Sequence, residues 1–256
     1  MAQETGIVQR REDLMQLIAH KGFASLSDLS GVFDVSDSTI RRDLEVLERR
    51  GGIRRTHGGA VSLAEPPAGR LDFADREAAE AAEKKAIAAA VAALVGENQA
   101  VIIDGGTTCY QVARALAGRR LSVVTNSVPI AALLGGELDT EVTLIGGYLY
   151  PRTGVALGPR AEEMLSGLRA NQLILSCAAA NPDGIFNANE IMASAERRMI
   201  QVADQVILAA DHTKFGKRSI APVCPWSEVH LVVTDSGLDD QSRRWLEATG
   251  VKVIFA

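Results

Sequence analysis

Cysteine, aromatic side chains and long apolar runs are all scarce in this chain of 256 residues. The three cysteines, Cys109, Cys177 and Cys224, are widely spaced and form no CxxC pair, which argues against a disulfide framework or a zinc site and favours a reducing cytoplasm. The longest apolar run is about ten residues, near 86–95, whereas a membrane span needs roughly 18. No apolar segment follows the charges of MAQETGIVQRRE, so no secretory signal is expected.

An excess of positive charge is also missing. The net charge is −5, so the whole chain has no general attraction to nucleic acid or to anionic membranes, and any such binding needs a local patch. Hydrophobic residues make up 47% and aromatics only 4%, so aliphatic side chains must fill the core. One basic patch exists, because residues 41–57 hold six arginines against three acids.

The chain divides at a stretch that has no helical or strand period. Residues 64–73, AEPPAGRLDF, hold two prolines and a glycine, as is typical of a linker or an extended connector. Before this stretch, apolar spacing predicts helices at about 8–20, 27–33 and 37–50, and glycine pairs around IRRTH predict a small hairpin. We therefore predict a small domain at 1–62, a linker at 63–74 and a larger domain at 75–256.

The larger domain alternates predicted helices and strands. A helix at about 75–95 precedes a strand at 100–104, and a second helix ends near residue 117. Six further apolar runs are strand candidates, at 121–125, 141–145, 172–177, 205–210, 228–233 and 251–255. Near-continuous apolar strands between helices predict a parallel α/β sheet that is covered on both faces.

The predicted helix at 37–50 has an apolar face and a basic face. At 100° per residue, Leu44 and Leu47 lie within about 40° of Ile40 and form the buried stripe. In a helix–turn–helix, such a stripe packs on the preceding helix while hydroxyls and guanidiniums enter the major groove of DNA. The candidate DNA-binding residues on the opposite side and its flanks are Ser38, Thr39, Arg41, Arg42 and Arg49.

The glycine-bracketed segment after this helix predicts a basic wing, in which Arg54, Arg55 and His57 contact phosphates. The alternative is that the arginines form only a solvated helix face. The turn at 34–36, with Ser36 as the N-cap, favours DNA binding when it is taken together with the spacing and the wing. Asp43 lies near the buried edge and is predicted to be a structural partner for a basic residue.

Two segments, RREDLMQLIAHKG and VSDSTIRRDLEVLERRGGIRRTHGGAV, resemble the N-terminal signature of the DeoR/GlpR family of bacterial transcription regulators. TIRRDL and HGGA are the most specific parts, and the resemblance continues through essentially the whole chain. It implies a winged helix–turn–helix domain that binds double-stranded operator DNA, with repression as the usual mode. One helix–turn–helix makes too few contacts for specific affinity, so self-association as a dimer or tetramer is expected.

Polar loops follow four of the predicted strands: DGGTT at 104–108, TNS at 125–127, IGG at 145–147 and DHTKFG at 211–216. Loops at the carboxyl ends of parallel strands meet at one edge, where ligands bind. Thr107 and Thr108 lie at a helix N-terminus whose free N–H groups favour an anion, and Lys214 adds a positive charge. Taken singly, the glycine loop is also typical of a tight turn, and Lys214 of a surface lysine.

These loops, with AEKKAIA at 82–88 and AERRMI at 195–200, are similar to the DeoR-type sensor domain, which shares its fold with ribose-5-phosphate isomerase and coenzyme A transferases. The segment at 176–190 departs from the pattern, because it has alanines where many members carry a glycine-containing segment. The resemblance implies a phosphorylated sugar or polyol as effector and no cofactor. The implied contacts are Asp104, Gly105, Gly106, Thr107, Thr108, Asn126, Ser127, Gly146, Gly147 and Lys214.

Two other classes of function compete with a regulator. A sugar-phosphate isomerase or deaminase needs a positioned carboxylate, but the sequence shows no acidic loop of the isomerase type and no pairing of a histidine with an acid. A purely architectural DNA-binding protein would leave about 180 residues of α/β sheet without a purpose. His20, His212 and His230 lack metal-ligand spacing, so no metal site is expected. We therefore expect a cytoplasmic, ligand-responsive regulator, most simply the repressor of a carbohydrate-catabolism operon.

Overall fold

The computed structural model describes residues 2–21, 23–56, 58–62 and 73–256. The chain divides into two compact units, Met1–Arg70 and Leu71–Ala256. Most of the predicted linker at 63–74 lies outside the described residues, and its last two positions belong to the first helix of the second unit. The predicted domain limits therefore stay a prediction.

The described part of the first unit is a small helical domain with a three-stranded antiparallel sheet of order β1-β3-β2. Its elements are α1 (Ala2–Lys21), β1 (Phe23–Ser25), α2 (Leu26–Phe33), α3 (Asp37–Arg49), β2 (Ile53–Thr56) and β3 (Gly59–Ser62). Apolar side chains that recur at helical spacing meet in one core, which includes Leu14, Ile18, Leu29, Ile40, Leu44, Leu47 and Ile53. The predicted helices and hairpin are confirmed, although α1 begins earlier than residue 8.

The second unit is built on a seven-stranded parallel sheet of order β15-β14-β12-β9-β4-β5-β6. The strands of this sheet are β4 (Ala100–Ile103), β5 (Leu121–Thr125), β6 (Thr140–Leu144), β9 (Ala170–Leu175), β12 (Ala203–Ala209), β14 (Leu231–Thr234) and β15 (Lys252–Phe255). Its helices are α4 (Phe73–Ala78), α5 (Ala81–Ala92), α6 (Thr107–Leu116), α7 (Val128–Leu134), α8 (Pro159–Ser166), α9 (Glu190–Gln201) and α10 (Asp240–Ala248). The predicted parallel α/β sheet is confirmed.

Successive side chains of the central strands point to opposite faces, so the sheet separates two cores. On one face, Ile102 of β4 and Leu173 of β9 pack with residues of α8, α9 and α10. On the other, Val101 and Ile103 of β4 pack with residues of α5, α6 and α7. Helices therefore cover both faces, and the loops at the carboxyl ends of the strands stay free to form a site.

The structure corrects the predicted helix at 75–95, which is two helices. Glu80 has a φ of 48°, in the left-handed region, so the chain turns between α4 and α5. The ammonium of Lys84 donates hydrogen bonds to the backbone carbonyls of Arg76 and Ala79 at the end of α4. This lysine satisfies carbonyl groups that a continuous helix would have bonded internally.

Five short antiparallel strands were not predicted. They are β7 (Tyr148–Tyr150), β8 (Val155–Leu157), β10 (Ala179–Asn181), β11 (Gly184–Asn187) and β13 (Ala221–Cys224). β7 pairs with β8, and β10, β11 and β13 form a second small sheet. These strands form by pairing with one another inside connections between the predicted elements, and local periodicity gives little sign of such pairing.

Candidate functional site

Helix α3 is held in place by its cap and by its apolar stripe. The hydroxyl of Ser36 accepts a hydrogen bond from the Thr39 amide at 3.3 Å, which confirms the predicted N-cap. Ile40, Leu44 and Leu47 are buried, as predicted from the 3.6-residue period. The hydroxyls of Ser38 and Thr39 both lie 2.9 Å from the Ser36 hydroxyl. The first turn of α3 therefore carries a cluster of three hydroxyl groups.

The basic face of α3 points to solvent. Arg41, Arg42 and Arg49 are exposed, on the side opposite the buried stripe. Arg49 is drawn toward the neighbouring Glu45, whose carboxylate lies 3.7 Å away. An exposed helix with hydroxyls at its N-terminus and guanidiniums along one face can present hydrogen-bond donors to base edges and phosphates. We call Ser38, Thr39, Arg41, Arg42 and Arg49 the α3 basic face.

The wing, formed by β2 and β3, is tied to α3 by an ion pair. The backbone amide and Nε of Arg55 donate to the two carboxylate oxygens of Glu48, at 2.7 and 2.8 Å. These hydrogen bonds, led by the one from the Arg55 amide, lower the pKa of Glu48. Arg54 is exposed, and His57 lies outside the described residues. Of the predicted wing contacts, Arg54 is exposed to solvent, whereas Arg55 pairs with Glu48 and thereby orients the wing.

Asp43 is the buried acid of α3, and it binds two arginines of α1. Its carboxylate oxygens lie 2.7 Å from Arg10 Nη2 and 2.7 Å from Arg11 Nε. The Asp43 side chain is 3% exposed, so the two guanidiniums neutralise a charge that has little access to water. The predicted structural partnership of Asp43 is confirmed, and it joins the first helix to the third.

In the second unit, the predicted effector contacts lie in loops at one end of the parallel sheet. We call this set the carboxyl edge: residues 104–108 after β4, 126–127 after β5, 146–147 after β6 and 211–214 after β12. β4 and β5 are adjacent strands, and a Cβ placed on Gly105 would lie 3.6 Å from Asn126 Oδ1. The loops after β4 and β5 are thus brought together directly, whereas β9 separates β4 from β12.

Asp104 begins the first loop as a buried acid. Its carboxylate accepts hydrogen bonds from the amides of Gly105 and Ser176, which stabilise the charged form. Burial outweighs these bonds and raises the pKa of Asp104 to about 7. Thr107 and Thr108 are also buried, in the first turn of α6, which has no side-chain N-cap. The first amides of α6 therefore lack an intrahelical partner, next to two threonines and an acid.

Close packing requires glycine at two positions of the carboxyl edge. A Cβ on Gly105 would lie 2.1 Å from Cγ1 of Val155 in β8. Gly147 has a φ of 152°, and a Cβ there would lie 2.6 Å from the carbonyl oxygen of Leu157. The β7–β8 hairpin thus packs against both loops, which explains the glycines without a ligand.

Asn126 and Ser127 have different roles in the second loop. Ser127 caps α7, because its hydroxyl accepts the Ile130 amide at 3.4 Å. Asn126 donates through Nδ2 to the carbonyl of Ala156 at 3.2 Å, while its Oδ1 is buried and accepts no hydrogen bond from any described residue. Asn126 therefore offers an acceptor to a ligand, whereas the Ser127 hydroxyl is already used in the cap.

Two lysines lie near the loop after β12, residues 211–214, and the sequence indicated only one of them. Lys214 lies 3.9 Å from the buried carboxylate of Asp211 and is one-third exposed. Lys84 is 3% exposed; burial lowers its pKa, and the charge of Asp211 opposes that shift. Lys84 falls in the buried stripe of α5 with Ile87, Ala88 and Val91, and a lysine in an apolar stripe was the signal that could have found it.

A histidine–acid pair is present, contrary to the expectation that there is none. His212 Nδ1 lies 2.7 Å from Asp235 Oδ2, and the amides of His212 and Gly237 also donate to this carboxylate. The hydrogen bonds from these amides and from His212 lower the pKa of Asp235 against the effect of its burial. The pair joins the loops after β12 and β14, two strands that are adjacent in the sheet.

Within the described residues, no helix is long and apolar enough to cross a membrane. The same part of the chain holds no group of three or more His, Cys, Asp or Glu side chains arranged for a metal ion. All three cysteines are free and buried, and burial raises the pKa of Cys224 to about 12. The expectation that Cys177 belongs to the core is confirmed.

Two family models match this chain. The model described as the DeoR-like helix-turn-helix domain matches residues 10–65, and that described as the DeoR C terminal sensor domain matches residues 79–236. The uncharacterized HTH-type transcriptional regulator YulB of Bacillus subtilis is 36% identical over 248 residues, which are 96% of each chain. The glycerol-3-phosphate regulon repressor of Haemophilus influenzae is 33% identical over 229 residues, which are 88% of each chain.

Among solved structures, ribose 5-phosphate isomerase A from Neisseria gonorrhoeae is similar over 53% of each chain, with 18% identity and a TM-score of 0.39. An N-terminal helix–turn–helix joined to a C-terminal parallel α/β sensor defines a DNA-binding transcriptional regulator and not an enzyme. The chain belongs to the DeoR family of transcriptional regulators, as its sequence motifs predicted.

Proposed function

We propose that this regulator represses a carbohydrate-catabolism operon and is released from its operator by a phosphorylated sugar or polyol. The observation that carries the proposal is the group of hydrogen-bond donors and lysines at the carboxyl edge. The uncapped N-terminus of α6 offers amides with a positive dipole end, and Thr107 and Thr108 offer hydroxyls beside it. Lys84 and Lys214 add positive charge around Asp211. Amides, hydroxyls and ammonium groups are the donors that a phosphate dianion needs.

The rest of the predicted site completes the proposal. Asp104, Gly105, Gly106, Asn126 and Ser127 would surround the effector, with Gly146 and Gly147 at the rim of the carboxyl edge. The name of the Haemophilus influenzae relative supports a phosphorylated polyol as one member of the effector class and repression as the mode of action. The proposed DNA contacts are the α3 basic face together with Arg54, Arg55 and His57.

Helix α4 is the proposed route from effector to DNA. It is the first described element after the connector that leads from the DNA-binding unit, and it is attached to α6 and Lys84. An effector that binds at the N-terminus of α6 can therefore change how α4 is held. The effector must prefer one arrangement of the DNA-binding units over the other. Complete switching between the two arrangements, from a population ratio of 1:99 to 99:1, needs an effector affinity that differs roughly 10⁴-fold between them.

The test uses a duplex selected from random sequences for binding to the full chain. Lys214→Ala and Thr107→Val should bind this duplex like the parent but fail to release it when the active phosphorylated compound is added. Lys217→Ala, which removes an exposed lysine of the same segment, is the matched control and should release normally. The unphosphorylated sugar should be at least tenfold weaker, because the amides and lysines lose their anion. Release of both variants at the parent's effector concentration would show that the site lies elsewhere.

A further inference from the structure

Glu196 is a buried acid that the proposed site leaves out. It is 2% exposed and lies in the buried stripe of α9 with Ala193 and Met199. Asn187 Nδ2 donates to Glu196 Oε1 at 2.5 Å. Its other oxygen, Oε2, is buried and has no hydrogen-bond partner among the described residues. Burying a polar atom without a partner is unfavourable, so Oε2 lacks a hydrogen bond that a ligand could supply.

Helix α9 brings this acid toward the carboxyl edge. Ala195, the neighbour of Glu196, packs in one cluster with Val155 and Leu157 of β8. Val155 is also the residue that a Cβ on Gly105 would strike, so α9 and the Gly105 loop contact the same strand. The charge of Asp104 acts on Glu196, and both carboxylates act on the buried thiol of Cys109. The protonation of Glu196 is therefore linked to the charge of Asp104.

The two acids divide the roles of donor and acceptor. Burial and the charge of Asp104 hold the pKa of Glu196 well above its usual range, against the opposing effects of Asn187 and Arg197. These effects favour the protonated form of Glu196, and because Asn187 donates to Oε1, a proton on this carboxyl belongs on Oε2. Asp104 has a pKa of about 7 and supplies an ionised acceptor in a large fraction of molecules. A donor beside an acceptor complements a hydroxyl group, which can both accept and donate.

We propose that Glu196 and Asp104 bind a hydroxyl group of the effector's sugar or polyol part, with Glu196 donating to the hydroxyl oxygen and Asp104 accepting its proton. This inference rests on the proposed function, because the hydroxyl belongs to the molecule whose phosphate lies at the carboxyl edge. It makes Glu196 a specificity-determining residue. An ammonium group, which has no lone pair to accept the Glu196 proton, would fit less well.

Calorimetry on the full chain tests the subsite with inorganic phosphate and four phosphorylated compounds: glycerol 3-phosphate, ribose 5-phosphate, glucose 6-phosphate and glucosamine 6-phosphate. Glu196→Met removes both polar oxygens at similar length. Glu196→Gln keeps an acceptor for Asn187 and a donor at the position of Oε2. Glu190→Gln, an exposed acid of the same helix that pairs with Arg197, is the control.

We expect Glu196→Met to bind inorganic phosphate within twofold of the parent and to bind the best hydroxylated compound at least tenfold more weakly. Glu196→Gln and Glu190→Gln should bind inorganic phosphate and the best hydroxylated compound with affinities within threefold of the parent's. Unchanged binding of the hydroxylated compound by Glu196→Met would overturn the subsite. Glu196→Gln could instead lose as much affinity as Glu196→Met, with glucosamine 6-phosphate as the best compound. That result would show that the subsite binds a cationic group and not a hydroxyl group.

The outcomes also separate this inference from the proposed function. A parent chain that binds inorganic phosphate but no hydroxylated compound more tightly contradicts the hydroxyl subsite alone. A parent chain that binds neither phosphate nor any of the four compounds contradicts the proposed effector class, and the subsite falls with it.

Discussion

At the scale of single residues, Asp43 determines how α1 and α3 are joined. Asp43→Ala should destabilise the first unit by about 2–4 kcal/mol, because two partly buried guanidiniums lose their common partner. Urea denaturation of the full chain, with hydrogen exchange followed in α1 and α3, measures the change. Glu45→Ala, which removes an exposed acid 3.7 Å from Arg49, should change stability by about 0.5 kcal/mol or less. Equal effects of the two variants on stability would contradict the conclusion that Asp43 forms a buried ion pair with Arg10 and Arg11.

Arg42 and Arg54 differ in what they are placed to contact. Arg42→Ala should lose sequence discrimination, since a bidentate base contact is worth roughly 1–3 kcal/mol and Arg42 is exposed opposite the buried stripe of α3. Arg54→Ala should weaken binding to all sequences about equally and reduce the log–log salt slope by about one. Titrations of selected and scrambled duplexes over a range of salt measure both effects. An unchanged specificity ratio in Arg42→Ala would contradict the assignment of this helix face.

Asp104 makes stability depend on pH with a definite sign. Its pKa is raised to about 7 in the folded state, so between about pH 4 and pH 7 the folded state keeps a proton that the unfolded state has lost. The free energy of unfolding therefore falls as pH rises through this window, and Asp104→Asn should remove about 2–4 kcal/mol of the fall. Denaturation midpoints at intervals from pH 4 to pH 8 provide the test. Parallel pH profiles for parent and variant would argue against a buried neutral acid.

At the scale of secondary-structure elements, α4 is held by side chains of α6. Phe73 and Tyr110 pack edge to face with ring centroids 5.5 Å apart, and Glu77 accepts a hydrogen bond from Gln111 at 3.1 Å. Arg114 lies 3.5 Å from the same carboxylate. Since α6 begins at the proposed anion site, α4 is attached to the helix that would respond first to the effector.

Glu77→Ala should loosen α4 without unfolding the sheet. Loss of one partly buried hydrogen-bonded contact is worth about 1 kcal/mol, so amide exchange in α4 should accelerate about fivefold. Hydrogen exchange read by mass spectrometry compares α4 with β4 and β9, which should be unaffected. Lys85→Ala, at an exposed position of α5, is the control. Unchanged exchange in α4 would mean that Glu77 does not hold this helix.

At the scale of the whole molecule, we predict an oligomer that is at least a dimer. One helix–turn–helix makes too few base and phosphate contacts for specific affinity, whereas a symmetric pair spans two half-sites one or more helical turns apart. Light scattering at micromolar concentration, with and without a selected duplex, should give a dimer or tetramer. A strictly monomeric mass that retains full specific DNA binding would refute the prediction.

The sequence by itself determined the features that repeat over short distances. The 3.6-residue period located the buried and basic faces of α3, Ser36 marked its start, and apolar runs followed by polar loops placed most strands of the parallel sheet. These features depend on neighbours within one or two turns of helix or within one strand, so they are readable before the chain folds. The loops that contain most of the proposed effector contacts belong to this group.

The tertiary structure alone decided which partners the buried charged residues contact. Asp43 meets Arg10 and Arg11 from more than 30 residues away, Lys84 is turned onto the end of α4, and Glu196 is enclosed near Asp104. The short strands β7 and β8 are likewise ordered by pairing with each other and by packing on the glycine loops. A buried charge needs a partner, and local periodicity contains no information about which turn or which distant segment supplies it.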